Sequence, residues 1–402
     1  MKSKRKIFNI YETMIFMLIT TIVSSITCGF IMFRLYDSKE VKPNYSKITA
    51  DKNLNEFIER YSNLLDGYYT DINKDELIQS AIEGMINYLG EKYTEYLPEN
   101  ESSDLLEQLE GEYQGIGLRI DQKEDGQVYV FEVFANTPAE EAGILKGDVF
   151  SKINDESVTG KTSEEISRQI KYGEGDTSKI LFIRGNEEIE VTITRTSVIV
   201  PSVVDRVINY RRKNIGYMQI QTFSTKTPSQ VNDALNRFKA QGIDKLIIDV
   251  RSNSGGYLDS VTEISEFFLE KDKIIYSIKT KNETSIIKDD TDEKTDFKIV
   301  VLVNEATASA SEILAGALKE SYGAILVGKK TYGKGKMQQT DPVTTGGIIK
   351  YTTGEWFLPS GENIEGIGLI PDHEVEFSET YQTNPTDEND SQLQKALETI
   401  IK

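Results

Sequence analysis

From residue 198 onward the chain alternates short apolar runs with amphipathic stretches, and this alternation constrains the fold more than any other feature. Residues 217–220, 245–250, 298–303 and 324–327 read as strands; residues 229–241, 258–270 and 309–321 read as helices. Strands separated by helices pair in parallel, with the helices covering the sheet. Such sheets bind ligands beyond the carboxyl ends of their strands. Two loops leave from there. Arg251-Ser252-Asn253-Ser254-Gly255-Gly256 ends a strand on two glycines, which permit the close backbone approach an oxyanion site needs. Asn304-Glu305-Ala306-Thr307-Ala308-Ser309 leads a second strand into a helix and sets a serine at its start. Residues 279–296 read as a charged, solvated excursion and 378–391 as a polar loop, while Leu393, Ala396, Leu397 and Ile400 mark one face of a final helix.

The residue inventory narrows the chemistry. His373 is the one histidine and Cys28 the one cysteine in 402 residues. A Ser-His-Asp triad or a Cys/His metal site is therefore excluded in practice, and a serine–lysine pair is the natural nucleophilic machinery. Lys334 stands between Gly333 and Gly335, where it decorates no helix or strand face. A lysine acts as a general base only when neutral, so burial must bring its pKa of ~10.4 down toward ~7–8. Gln338 can orient the amine without adding a carboxylate that would hold it charged. No metal or organic cofactor is called for. The net charge of -19, with acids spread along the chain, argues against nucleic-acid binding, which needs a basic face.

Residues 53–110 carry a helical pattern, with Leu54, Ile58, Tyr61, Leu64 and Leu65, then Leu77, Ile78, Ala81, Ile82, Met85 and Ile86, at helix spacing. At Gly111 the texture turns β-rich: 128–133, 179–183 and 189–194 read as strands, and 162–171 as a helix with Ile166 and Ile170 on its apolar side. At the N-terminus, Lys2, Lys4, Arg5 and Lys6 precede an uncharged, mostly apolar run at 14–33, about the ~20 residues a membrane helix requires. The charge bias predicts a cytoplasmic N-terminus, with everything after the run outside. A cleaved signal peptide fits less well, because no Ala-x-Ala site follows. A lipoprotein anchored on Cys28 also fits less well, because Ser25-Ile26-Thr27 precedes it poorly and the apolar run continues.

Three runs carry a resemblance: Asp249-Val250-Arg251-Ser252-Asn253-Ser254-Gly255-Gly256, Asn304-Glu305-Ala306-Thr307-Ala308-Ser309-Ala310-Ser311-Glu312-Ile313, and Thr331-Tyr332-Gly333-Lys334-Gly335-Lys336-Met337-Gln338. Together they resemble the signature of the carboxy-terminal processing peptidases, the tail-specific serine proteases. Phe357-Leu358-Pro359-Ser360-Gly361, Gly366-Ile367-Gly368-Leu369-Ile370-Pro371-Asp372 and Tyr93-Thr94-Glu95-Tyr96-Leu97 match further blocks in the same order. The resemblance implies Ser309 as nucleophile, Lys334 as base and Gln338 as its orienter, with an oxyanion hole from the N–H groups of Gly255 and Ala310. Ser311 is read as structural. Ser252, Ser254 and Thr307 depart from the usual residues without removing a catalytic group. Tyr113-Gln114-Gly115-Ile116-Gly117-Leu118 resembles the carboxylate-binding loop of a PDZ domain, and Asn136-Thr137-Pro138-Ala139 through Gly143-Ile144-Leu145-Lys146-Gly147-Asp148 extends that likeness. A peptide would add as a strand beside the loop, opposite the helix bearing Ile166, Arg168 and Ile170.

The implied architecture is an α/β protease core of the ClpP/crotonase-like class with an inserted β-rich PDZ domain. It divides into tail and anchor (1–34), stalk and N-terminal helical region (35–105), PDZ domain (106–197), protease core (198–380) and C-terminal loop and helix (381–402). The implied partners are proteins with accessible C-termini, the membrane, and a second copy of the chain in a homodimer. The N-terminal and C-terminal helices would make the dimer contacts. The alternative is a catalytically dead PDZ scaffold tethered at the membrane.

Overall fold

The computed structural model describes residues 51–292, 295–344 and 346–402. The basic tail and the apolar run at 14–33 lie outside them. Among the described residues, no helix is long and apolar enough to cross a membrane.

Helix α1 (Lys52–Gly67) starts at Asp51, whose carboxylate accepts from the N–H groups of Asn53 and Leu54 and so satisfies two orphan donors of the first turn. Its apolar stripe faces no core: α1 buries no residue, and Phe57, Ile58 and Leu64 are each about half exposed. Helix α2 (Lys74–Leu89) also buries none and leaves Met85, Tyr88 and Leu89 exposed. The helical expectation then breaks. Residues Glu95–Leu97 form strand β1, and Pro98 opens a new helix, α3 (Glu99–Glu110), which ends on Gly111 in the left-handed conformation, φ 71°.

The β-rich unit is entered and left through paired strands, β2 (Glu112–Gly115) against β9 (Thr196–Ile199), so the chain departs and returns at one neck. Between them lie β3 (Leu118–Gln122), β4 (Val128–Val133), the short helix α4 (Pro138–Glu141), β5 (Val149–Ile153), β6 (Glu156–Ser157), helix α5 (Ser163–Tyr172), β7 (Thr177–Arg184) and β8 (Glu187–Thr194). The five longer strands pair antiparallel in the order β3-β4-β5-β7-β8. Helix α5 is set by a capping box, Thr162 with Glu165. Its Ile166 and Ile170 are buried with Ile116, Val130, Ile153, Ile180 and Phe182.

The remaining chain builds the α/β core. Its elements are β10 (Val203–Tyr210), β11 (Lys213–Ile220), α6 (Thr227–Ala240), β12 (Lys245–Asp249), α7 (Leu258–Glu266), β13 (Ile274–Thr280), β14 (Thr284–Lys288), β15 (Lys298–Val303), α8 (Ala310–Ala317), β16 (Ile325–Gly328), β17 (Lys336–Pro342), β18 (Ile348–Phe357), β19 (His373–Glu374), α9 (Glu379–Thr383) and α10 (Ser391–Ile400). The main sheet runs β10-β11-β12-β15-β16-β19, parallel except for the β10–β11 hairpin. Both faces of its central strands are covered. Leu246, Ile248, Val301 and Val303 meet α6, α7 and α8, while Ile247, Val300 and Leu302 meet Leu393, Ala396, Leu397 and Ile400 of α10. The apolar face of the C-terminal helix is thus part of the core.

A second sheet, absent from the sequence reading, runs β1-β18-β13-β14 with β17 also on β18. The excursion read as solvated loop supplies β14 as the return strand of a hairpin. Helix α8 is shorter than expected and gives way to a wider turn at Leu318–Tyr322 before Gly323.

Glu266, at the end of α7, is pushed up to about 7, by burial first and then by the charges of Asp290, Asp289 and Glu263. A raised folded pKa means the folded chain holds a proton the unfolded chain releases, so this site is most favourable below the unfolded value and its contribution is lost as pH rises toward 7. We predict that Glu266→Gln is neutral near pH 4 but stabilises at pH 8 by roughly 1–2 kcal/mol after screening is allowed for. Thermal unfolding of both proteins at the two pH values checks this; equal stability at pH 8 refutes it.

Candidate active site

The site begins where β12 ends. Asp249 is 1 % exposed, accepts from the Tyr217 hydroxyl at 2.7 Å and pairs with Arg251 at 2.6 Å. Arg251 also meets Asp390 at 2.9 Å, and Asp390 caps α10 by accepting from the Leu393 N–H at 2.9 Å. A nearly dry ion-pair chain therefore fixes the strand end and docks the last helix beside it. The chain then turns through Ser252, φ 59°, whose N–H donates to Asn304 Oδ1 at 2.9 Å.

The loop after β15 is stitched to the first. Thr307 Oγ1 donates to the Val250 carbonyl and accepts from the Asn304 N–H, both at 2.9 Å. The Ala308 N–H and the Ser311 hydroxyl both donate to the Asn253 carbonyl, at 3.0 and 2.9 Å. Ser311 is thus a structural tie, as expected. Ser309 follows with φ 56° and ψ -120°, a strained conformation for a residue with a side chain, costing of the order of ~1–3 kcal/mol. Strain at a strand-to-helix turn is how folds thrust a nucleophile into a cleft.

Glu312 opposes that strain. It is fully buried, and its Oε2 accepts from the N–H groups of Ser309 and Lys334, both at 2.9 Å. Its Oε1 accepts from the Gly333 N–H at 2.8 Å and from the Thr331 hydroxyl. One carboxylate thus joins the serine turn to the lysine loop. Burial raises its pKa above the ordinary carboxylate value, while the four donors pull the other way. Gly333 is required here, because at φ 84° a Cβ would stand 2.7 Å from the Gly368 N.

Ser309, Lys334, Gln338, Gly255 and Gly256 line one cavity of about 580 Å³, with Leu105 and Leu109 of α3 and Trp356 among the other walls. Burial depresses the Lys334 pKa, and the Lys350 charge depresses it further; Glu365, Glu95 and Glu91 oppose the shift. The lysine is held by its backbone: its carbonyl accepts from Trp356 Nε1 at 2.9 Å, and its amine lies over the Tyr93 ring, 5.0 Å from the centroid.

The cavity is gathered but not engaged. No hydrogen bond joins Lys334 Nζ to Ser309 Oγ among the described residues. Gln338 sits on strand β17 and donates its amide to Thr352 Oγ1 at 3.5 Å; among the described residues no hydrogen bond joins it to Lys334. The Gly255 N–H, expected in the oxyanion hole, donates instead to Asn253 Oδ1 at 2.8 Å. Gly255 itself is in place: a Cβ on it would come within 2.9 Å of Ser309 Cβ and 3.1 Å of the Ala310 N.

In the β-rich unit, Gly115, Ile116, Gly117 and Leu118 form the expected loop, with Ile116 turned into the core. Ile166 and Ile170 are buried in the core of this unit. Arg168 reaches Glu164 at 3.9 Å on the helix surface, and both are more than half exposed. Among the described residues, no group of three or more His, Cys, Asp and Glu side chains is placed to hold a metal ion.

The sequence reading missed Glu312, Thr331, Tyr93 and the α3 wall. A glutamate three residues after a serine at a helix start is a capping-box pattern, and that signal was available for Glu312. Nothing local marks Leu105 or Leu109.

An α/β core with a serine–lysine cavity and an inserted PDZ-like unit is the architecture of a PDZ-bearing peptidase. Comparison with known proteins agrees. The model for peptidase family S41 matches residues 214–375, and that for the PDZ domain matches residues 114–194. A CtpA-like serine protease of Staphylococcus haemolyticus is 34% identical over 336 residues, covering 82% of this chain and 66% of its own. One from Staphylococcus aureus (strain MRSA252) is 35% identical over 328 residues, covering 81% and 65%. The chain thus spans just under two-thirds of the length of these relatives. A solved structure assigned to the S41 proteases of Bacteroides fragilis superimposes with a TM-score of 0.51 at 16% identity, covering 79% of this chain and 90% of that one. The chain belongs to peptidase family S41 and carries a PDZ domain.

Glu312→Gln replaces one oxygen by an NH2 group facing two N–H donors. We predict a loss of at least ~100-fold in kcat/KM for a peptide substrate, because two buried bonds at the junction become donor–donor clashes. Near-wild-type turnover by the purified variant would remove Glu312 from this role.

Proposed function

We propose that the chain is a membrane-anchored serine endopeptidase that works through a Ser309–Lys334 dyad and takes protein substrates by their C-terminal tails. The observation that carries the dyad is the half-buried, pKa-depressed Lys334 opening into the same cavity as the strained Ser309. The CtpA-like serine proteases among its relatives support the same chemistry.

In the reaction, neutral Lys334 takes the Ser309 hydroxyl proton as Oγ attacks a peptide carbonyl carbon. The oxyanion receives the Ala310 N–H, and the Gly255 N–H once Asn253 Oδ1 releases it. Lys334 returns the proton to the leaving amine, the C–N bond breaks, and water hydrolyses the acyl-enzyme by the reverse proton path. The resting geometry requires Lys334 to leave the Tyr93 ring for Ser309 and Gln338 to turn from Thr352. Substrate capture by the PDZ domain supplies the binding energy for this rearrangement and so gates activity. The scaffold reading lacks a comparable observation, since a structural lysine has no need of burial beside a strained serine.

The basic cluster and apolar run before residue 34 support a single-pass anchor, with a cytoplasmic N-terminus and an extracytoplasmic catalytic domain. The exposed apolar residues of α1 and α2 support a homodimer formed through those helices.

The test incubates the full chain with casein and follows new termini by mass spectrometry. Ser309→Ala and Lys334→Ala each lose cleavage by at least ~10³-fold. Persistent cleavage by Ser309→Ala would falsify the assignment. The active form of Lys334 is neutral, so kcat/KM rises with pH through a midpoint below the ordinary lysine value of 10.5. Lys350→Met removes a charge that depresses this pKa, so it moves the midpoint upward and lowers activity at pH 7. A midpoint that stays or falls contradicts the electrostatic account.

A further inference from the structure

Between α2 and β1 the chain makes a short turn, Glu91-Lys92-Tyr93-Thr94, built around one carboxylate. Glu91 Oε2 accepts from the Tyr93 N–H at 3.1 Å and from the hydroxyls of Thr94 and Thr352, both at 2.8 Å. Thr94 Oγ1 in turn accepts from the Thr352 N–H at 3.2 Å, which ties the turn to β18. Burial pushes the Glu91 carboxyl up, but the hydrogen bonds from Thr352, Thr94 and Tyr93 outweigh it and hold the group below the ordinary carboxylate value. An ionised carboxylate only accepts. The Thr352 hydroxyl proton is therefore committed to Glu91, and its oxygen is left to accept the Gln338 amide at 3.5 Å. The next two residues of the turn meet the lysine loop. Lys92 donates to the Tyr332 hydroxyl at 2.6 Å, and the Lys334 amine stands 5.0 Å from the centroid of the Tyr93 ring. An aromatic face attracts a cation within about 6 Å.

We propose that the turn Glu91–Thr94 is a resting latch for the catalytic side chains: the Tyr93 ring keeps Lys334 as a cation, and Glu91, through Thr352, keeps Gln338 apart from it. The proposal rests on the Ser309–Lys334 reading. The face of an aromatic ring attracts an ammonium group and has no such hold on a neutral amine. Deprotonating Lys334 therefore forfeits the ring's attraction, which corresponds to about one pKa unit, or about tenfold in the neutral fraction. The ring works inside a field of fixed charges. Lys350 on β18 repels the ammonium form, while Glu365, Glu95 and Glu91 favour it. Lys336 and Asp259 also line the cavity, and the Glu312 carboxylate accepts from the Lys334 backbone N–H. Unlike these groups, Tyr93 favours the cation without a net charge of its own.

Tyr93 and Glu91 are thus positioning residues, and they act on the two side chains that must move before the dyad assembles. The same carboxylate holds the Tyr93 backbone and the Thr352 hydroxyl, so the seats of Lys334 and Gln338 share one anchor. Tyr93 and Gln338 are far apart in the chain, and β1 and β17 bring them together by pairing with opposite sides of β18.

The test reads the Lys334 proton directly. The full chain carrying Ser309→Ala is treated with trace acetic anhydride, which acetylates only neutral amines, from neutral to alkaline pH. Mass spectrometry follows acetylation of Lys334 relative to the exposed Lys281. Tyr93→Leu, which keeps an apolar wall and removes the ring, should lower the Lys334 midpoint by about one unit. Tyr93→Phe, which restores the ring, should return it. An unchanged or raised midpoint in Tyr93→Leu overturns the latch and leaves the dyad standing. With Ser309 intact, kcat/KM for casein at pH 7 should rise by up to about tenfold in Tyr93→Leu. A labelling midpoint that falls while kcat/KM does not rise overturns the dyad reading and the latch with it. Thr352→Val keeps the shape and releases the Gln338 amide. It should raise kcat/KM by about threefold with the Lys334 midpoint unchanged; a fall in kcat/KM would make Thr352 a working support for Gln338 and overturn the latch.

Discussion

The rest of the site depends on one buried carboxylate. Glu312 accepts from the backbone of Ser309 on one side and of Gly333 and Lys334 on the other. It converts two loops from different strands into one rigid junction. Without it, the Ser309 N–H loses its partner and the lysine loop loses its tie to the serine turn. The geometry is over-determined, since Thr307 and Ser311 tie the serine turn to the β12 loop from the opposite side. Strain of this kind persists only where the surroundings enforce it.

What is enforced is the backbone; the side chains retain choice. Lys334 rests on the Tyr93 ring, Gln338 on Thr352, and the Gly255 N–H on Asn253. In the proposed mechanism each of these groups leaves that partner, which needs side-chain and peptide movements and no refolding. The α3 helix is the one cavity wall contributed from beside the PDZ domain, and it is also the helix gripped by Lys171. Helix α3 thus touches both the cavity, through Leu105 and Leu109, and the PDZ domain, through the Glu107–Lys171 pair.

Much of the core was legible because its signals are local. Apolar runs broken by helices specify parallel pairing, and β12, β15 and β16 pair that way. Gly255, Ser309 and Lys334 could be singled out because glycine pairs, helix starts and an isolated lysine each have a physical meaning within a few residues. The second sheet was not legible. Its strand β1 pairs with β18 across some 250 residues of chain, and no periodicity in 95–97 announces a partner that distant. The spacing of Ile166 and Ile170 identified an apolar helix face, but not that Ile116, Val130, Ile153, Ile180 and Phe182 would cover it, since amphipathic spacing does not say what covers a face.

The sequence by itself determined the chemistry available: one histidine, no cysteine pair, and a serine and a lysine on loops at the sheet edge. It also marked the main-sheet strands and the helices between them, because those are decided over a turn or a strand length. Only the tertiary structure decided which donors Glu312 satisfies and that α3 walls the cavity. These are contacts between segments far apart in the chain, and they form only when burial forces each polar group to find its partner in space.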